Sequence, residues 1–343
     1  MQIELAENTI RKSFTWQEQM SLERKIADLI QADTAKAPTK EEADKSLEIL
    51  GQKPTTYHRQ KLRESINISE ALEDEESAPK FKHCKSRKDA ERVLKRIQRE
   101  AEDQLLAKEI GKEFAATKHK LIRGDCLDIL PTLKLDSFDL CITDPPYGIN
   151  AHKFGNAAGR MASFSHDYDD SPETWLKLMP EFLSKLSLVM KPKSHIYLAC
   201  DIGKFEVLKG LLKAVKEKEW QIQRTPIIEL KAFGRVPVID FYYRRMYECW
   251  LYARTGEKNS RAILDDVIMK SKLPKGHHAA TKSEAAFSAF LQTSGQAGGK
   301  VIDPFMGSAS LLKSADDTGM LYVGIEKEEI AYGKACKTLK QLS

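Results

Sequence analysis

The chain is poor in features that would place it in several common classes. Its 343 residues hold only six cysteines: Cys84, Cys126, Cys141, Cys200, Cys249 and Cys336. No two stand in a Cys-x-x-Cys spacing, and no histidine cluster completes a zinc set, so no metal is expected. The thiols read as buried and reduced, which suits a cytoplasmic location. No apolar run approaches the roughly 18 residues of a membrane span. The N-terminus reads as lacking a basic-then-apolar leader, so no membrane partner is expected. Repeats and low-complexity tracts are missing too. Charge of one sign is scarce, with a formal net of only +5. Residues 1–118 carry 23 basic and 23 acidic side chains, so the whole excess falls on residues 119–343. That is compatible with a phosphate-bearing partner without establishing one.

What is present begins with helices. Thr15-x-x-Glu18 is a capping box, followed by Met20, Leu22, Ile26, Leu29 and Ile30 at helical spacing. Glu42–Leu50 reads as a short helix ended by Gly51, and Pro54–Arg63 as a second, dense in Thr, Tyr, Arg and Lys. That order is the layout of a helix-turn-helix, with an ordinary helical bundle or dimerisation region as the alternative. Residues 79–118 form a basic linker helix. Nine Lys and Arg fall within 80–99, either as a solvated face or as a track for DNA phosphates.

From Lys120 onward strands and helices alternate. Strands are expected at 119–123, 138–143, 195–200, 222–229, 247–253, 300–303 and 321–325. Helices are expected at 126–132, 172–189, 203–216, 281–294, 308–316 and 327–340. Alternation of this kind predicts a doubly wound α/β sheet with its ligands at the carboxyl ends of the strands.

The most informative run is Phe138-Asp-Leu-Cys-Ile-Thr-Asp-Pro-Pro-Tyr-Gly148. An apolar strand ends on Asp144, Pro145 and Pro146 stiffen the turn, and Tyr147 presents an aromatic plate. A carboxylate, aimed carbonyls and a stacking surface are what chemistry on the amino group of a planar base requires. Far downstream, Val301-Ile-Asp-Pro-Phe-Met-Gly-Ser-Ala-Ser310 runs from a strand into a glycine turn and a helix start, a setting for close approach of a ligand edge. Leu321–Glu326 is a strand ending in an acid, able to accept hydrogen bonds from ribose hydroxyls or to cap the next helix.

These segments resemble the amino-group DNA methyltransferases, whose Asp-Pro-Pro-Tyr motif matches Asp144, Pro145, Pro146 and Tyr147. The resemblance spans residues 119–343. It implies a Rossmann-like domain, S-adenosylmethionine as cofactor and DNA as partner; a homodimer is compatible. Asp303, Phe305, Gly307 and Ser308 match the cofactor loop, where Ala309 replaces the usual last glycine. Glu326 matches the ribose acid. Asp125 and Cys126 match the adenine side, Asp125 reading equally as a helix N-cap. Lys282 stands in a segment similar to the one that closes over the methionine end. Because the catalytic strand precedes the cofactor loop, the order is that of the β-class.

The resemblance further implies Asp144 and the Pro145 carbonyl as acceptors for the target amine, with Asp at 144 favouring adenine N6. Cytosine N4 or an RNA base stays open, as does a DNA-binding regulator with an inactive methyltransferase domain. DNA contacts are expected from Lys153 and Arg160 in the long loop 149–171. Arg235, Arg244 and Arg245, interleaved with aromatics, are expected to add more. The N-terminal helices are similar to the helix-turn-helix part of ParB-type DNA-binding proteins. The expected division is therefore 1–78 helical, 79–118 linker and 119–343 catalytic.

Overall fold

The structure, a computed structural model, describes residues 14–31, 37–150, 170–231, 246–256, 262, 265–268 and 284–342. The chain divides into two units, Met1–Ala101 and Glu102–Ser343.

In the first unit, α1 (Trp16–Ile30) starts at the Thr15/Glu18 capping box read from the sequence. A second box, Thr39/Glu42, starts α2 (Lys40–Ile49). α3 (Thr56–Glu73) is capped by Thr55 and runs ten residues beyond the expected Arg63. Ala27, Ala43, Leu47, Leu62 and Ile66 pack as one core between these helices. Met20, Ile68, Phe81, Ala90 and Leu94 form another, reaching the start of α4 (Arg87–Ile110). Much of the basic stretch is spent internally. Arg87 donates to the Lys61 carbonyl at 2.8 Å and to the Ser65 hydroxyl at 2.6 Å, and pairs with Glu23 at 3.2 Å. Arg92, Lys95 and Arg96 face Asp89, Glu64 and Glu100 within 4 Å.

The second unit is built on a sheet whose strands are β1 (Glu113–Ala116), β2 (His119–Arg123), β3 (Phe138–Thr143), β4 (Met190–Cys200), β5 (Trp220–Ile222), β6 (Ile227–Leu230), β7 (Tyr247–Thr255), β8 (Val267–Ile268), β9 (Lys300–Asp303) and β10 (Leu321–Glu326). Their order is β1-β2-β10-β9-β3-β4-β7-β6-β8, with β5 also on β7. The block β2-β10-β9-β3-β4 is parallel. β7 enters antiparallel to β4, and β1 is antiparallel to β2. The parallel strands are covered on both faces, which is why they read as nearly continuous apolar runs. Leu140, Ile142, Tyr197 and Ala199 point into one core, with α8 (Glu284–Ser294), α9 (Leu312–Asp317) and α10 (Glu329–Leu342). Cys141, Ile196, Leu198 and Ile302 point into the other, with α5 (Cys126–Ile129), α6 (Pro172–Val189) and α7 (Phe205–Lys213).

The sheet is therefore the Rossmann-like, doubly wound arrangement the alternation predicts. Several boundaries differ: β4, expected at 195–200, starts at Met190, and the division into units falls after Ala101, between the expected 78 and 118. The second unit includes β1, upstream of the expected start at 119. The expected strand 222–229 is two strands, since Pro226 between them has no N–H for a ladder. The expected helix 308–316 starts only at Leu312, because Gly307 and Ala309 hold φ of +54° and +61°. Ala309 thus keeps the left-handed backbone that the usual glycine would hold.

Candidate active site

The strand order creates one reversal of winding. β3 leads through α6 to β4 on one side, and β9 leads through α9 to β10 on the other, with β3 and β9 as neighbours. Ligands of open α/β sheets settle in the crevice at such a reversal, outside the carboxyl ends. Here those ends are Thr143-Asp144 and Asp303-Pro304, separated by about 160 residues of chain.

A hydrogen-bonded pin joins them. The Thr143 hydroxyl donates to Asp303 Oδ1 at 2.6 Å and accepts from the Phe305 N–H at 3.2 Å. Phe305 N also approaches Asp303 Oδ1 at 3.3 Å. Thr143 and Asp303 are both buried. Burial is the main cause raising the Asp303 carboxyl to about 7, and the charges of Asp144 and Glu326 push the same way. The Tyr322 hydroxyl, fully buried, lies 3.5 Å from Asp303 Oδ2.

The Asp144 turn is held from two sides. The Tyr147 hydroxyl donates to Asp144 Oδ1 at 2.7 Å, while its ring packs against the core. Gly148 N–H donates to Asp170 Oδ1 at 2.7 Å, and Asn150 N–H to the Asp170 carbonyl at 2.7 Å. Gly148 needs its φ of +64°, and a Cβ there would lie 2.5 Å from Trp175 Cβ. Pro145 is buried and Pro146 half-buried.

At the end of β10, Glu326 closes the glycine loop that follows β9. Its Oε2 accepts from Gly307 N–H at 2.8 Å, and its Oε1 from Glu328 N–H at 2.7 Å. Burial nonetheless raises its carboxyl above the ordinary range. The Gly307 N–H is thus engaged by Glu326, where the sequence suggested a free helix-start amide. Phe305 turns its ring onto Phe182, with centroids 5.0 Å apart, so its backbone is what faces Thr143. Ser308 is exposed. Asp125 caps α5 through Leu127 N–H at 2.9 Å and pairs with Lys327 at 3.1 Å. Cys126 is buried beside it, its thiol pushed up to about 12 chiefly by burial and therefore neutral.

Asp144, Tyr147, Asp303, Gly307 and Glu326 are thus gathered along the carboxyl ends of β3, β9 and β10. Lys153, Arg160, Arg235, Arg244, Arg245 and Lys282 lie outside the described residues. Thr143 and Asp170 were missed by sequence reasoning. Thr143 offered one signal, a hydroxyl closing an otherwise apolar strand; Asp170 offered none, being 22 residues from its partner.

A doubly wound sheet with an acidic turn and a glycine loop meeting at its reversal is a crevice of the kind in which open α/β sheets hold their ligands. Residues 138–336 match the DNA methylase family of N6 and N4 enzymes, and the chain belongs to that family. It is 23% identical over 239 residues to the type II methyltransferase M2.LlaDCHI of Lactococcus lactis subsp. cremoris, covering 61% of this chain and 84% of that one. It is 22% identical to the type II methyltransferase M2.DpnII of Streptococcus pneumoniae, covering 63% and 87%. Among solved structures, the cytosine-N4-specific PvuII DNA methyltransferase superposes with a TM-score of 0.51 at 13% identity, covering 65% and 89%, a likeness of fold.

Enzymes of this family take their methyl group from S-adenosylmethionine. The residues present fit that group. Three carboxyl groups, Asp144, Asp303 and Glu326, share one crevice, and two of them are held above their ordinary range. A ligand bearing a sulfonium and an ammonium offsets that crowding. Among the described residues no helix is long and apolar enough to cross a membrane.

Proposed function

We propose that the chain methylates N6 of adenine in DNA. The observation that carries this reading is the Thr143–Asp303 bond, which fastens the Asp144 turn to the cofactor loop. Bound S-adenosylmethionine supplies an electrophilic methyl group. The chain's task is to make a poor nucleophile adequate and to aim it.

The lone pair of an aromatic amine is delocalised into its ring. Asp144 and the Pro145 carbonyl, each accepting one N–H, draw the nitrogen toward pyramidal geometry and localise that pair. With the donor bound, the nitrogen would take the methyl group as its bond to sulfur breaks, the electron pair staying on sulfur, and the methylated amine would release one proton to solvent. Asp144 stabilises the positive charge that builds on nitrogen meanwhile. The Tyr147 hydroxyl holds the Asp144 carboxylate in place. The target leaves the duplex stack at a cost of a few kcal/mol, and stacking on an aromatic ring such as Tyr147 returns about 1–3 kcal/mol. Asp at 144 supports adenine over cytosine. Lys153, Arg160, Arg235, Arg244 and Arg245 are assigned to the DNA backbone, and Lys282 to the methionine end of the cofactor.

The test is transfer of labelled methyl from S-adenosylmethionine to plasmid DNA, followed by mass spectrometry of its nucleosides. N6-methyladenine is expected. Asp144→Ala should lower the rate by at least about 10²-fold even at saturating cofactor. N4-methylcytosine, methylated RNA alone, or no transfer overturns the reading.

A further inference from the structure

The α2–α3 pair of the first unit carries an exposed polar face. Between the caps Leu50 and Thr55 lie four residues, with Gly51 at φ +69° turning the chain. Gly51 N–H and Gln52 N–H return to the carbonyls of Glu48 and Leu47, closing the end of α2. Arg59 then grips Asp44 with two bonds, at 2.5 and 3.1 Å, locking α3 against α2. α3 buries Leu62, Ser65, Ile66, Ile68 and Ser69. Its opposite side exposes Thr56, Gln60, Arg63 and Asn67. Spacings of four, three and four put these on one stripe, spanning roughly 16 Å of axis.

The chemistry of that stripe selects its partner. It carries donors and acceptors and no aliphatic side chain, whereas a protein-binding face would have an apolar or aromatic centre. Gln and Asn match the donor–acceptor edge of adenine, and Arg that of guanine. The first turn of α3 contains no acid, while α1 and α2 each carry one or two there. Tyr57 stands exposed at that end with Lys61 Nζ 5.1 Å from its ring centre, and Lys53 is exposed in the turn before it. A positive helix end beside such groups suits phosphate. We infer that α2–turn–α3 is a helix-turn-helix that sets the Thr56–Gln60–Arg63–Asn67 face of α3 into the major groove of duplex DNA. It deepens the methyltransferase reading by giving sequence recognition a site in the first unit, whereas the Asp144 turn belongs to the second.

The test uses the full chain with Gln60→Ala and Arg63→Ala, singly and together. Both residues are exposed, so the melting temperature and S-adenosylmethionine affinity should stay at wild-type values. A random-sequence duplex library is selected with the wild type, and affinities for the winning duplex are compared. Each single variant should lose roughly five- to hundredfold and relax preference at one position. Unchanged affinity with an unchanged selected sequence overturns the inference. So does loss of affinity for an RNA duplex alone, or a changed oligomeric state with DNA binding intact. Should the wild type transfer no methyl while the variants still lose their selected duplex, the methylation reading fails and this one stands.

Discussion

Thr143→Val removes one hydroxyl and keeps the volume, so it isolates the pin between the two halves of the crevice. The Thr143 hydroxyl lies 2.6 Å from a buried carboxyl oxygen of Asp303 and 3.2 Å from Phe305 N–H. Phe305 N–H retains a contact with Asp303 at 3.3 Å. One acceptor is therefore left short of a donor, and no cavity opens. Such a loss costs about 1–3 kcal/mol, so a fall of about 2 kcal/mol is expected. In a unit of this size that is a drop in Tm of roughly 4–8 °C. Thr143 also holds the Asp303 carboxyl down, so without it the carboxyl rises further. The larger effect should be on rate: a shift of about 1 Å between the bound groups can cost up to about 10²-fold. Single-turnover methyl transfer at saturating cofactor measures it, and Thr143→Ser, which restores the hydroxyl, should recover most of the rate. A valine variant with wild-type Tm and rate, or a serine variant as impaired as valine, refutes the reasoning.

Two further outcomes follow from the same geometry. Asp303 is raised from 3.8 to about 7 by folding, so the native state binds its proton more tightly than the unfolded chain. Its contribution is present in full below about pH 4 and is lost as pH rises through 7. Thermal scans of Asp303→Asn and wild type between pH 5 and 8 should therefore move in the variant's favour as pH rises, and parallel curves would disprove it. Gly148→Ala places a left-handed backbone on a residue with a side chain, at about 1–2 kcal/mol. It also drives that side chain against Trp175. A loss of about 3 kcal/mol in chemical denaturation, with slower methyl transfer, is expected; a neutral variant would contradict the turn described.

The parts of this fold legible in the sequence were those whose cause is local. β3 and α6 begin and end where apolar period, cap and proline place them. Thr15 and Glu18 announced α1 because both halves of a capping box lie three residues apart. β1 was not legible: Glu113–Ala116 has little pattern of its own and exists through its pairing with β2. The late start of α9 was hidden because the φ of Ala309 depends on burial of its methyl, and alanine ordinarily favours helix. Asp144, Asp303 and Glu326 were found because each closes a strand. Asp170 and the partnership of Thr143 with Asp303 were not, since hydrogen bonds across 22 and 160 residues leave no mark in spacing.

β2 and β3 are consecutive in the chain yet are not neighbours; β9 and β10 slot between them. On the ribosome, the centre of this sheet is the last part to arrive. Until some 180 further residues have been made, two long apolar edges wait unpaired, the condition that invites misassociation. A prematurely terminated product lacking the final two strands would hold the Asp144 turn without the Asp303–Gly307 loop and without Glu326. Half-made enzyme is thus inert by construction, and quality control during synthesis should weigh most heavily on this late insertion.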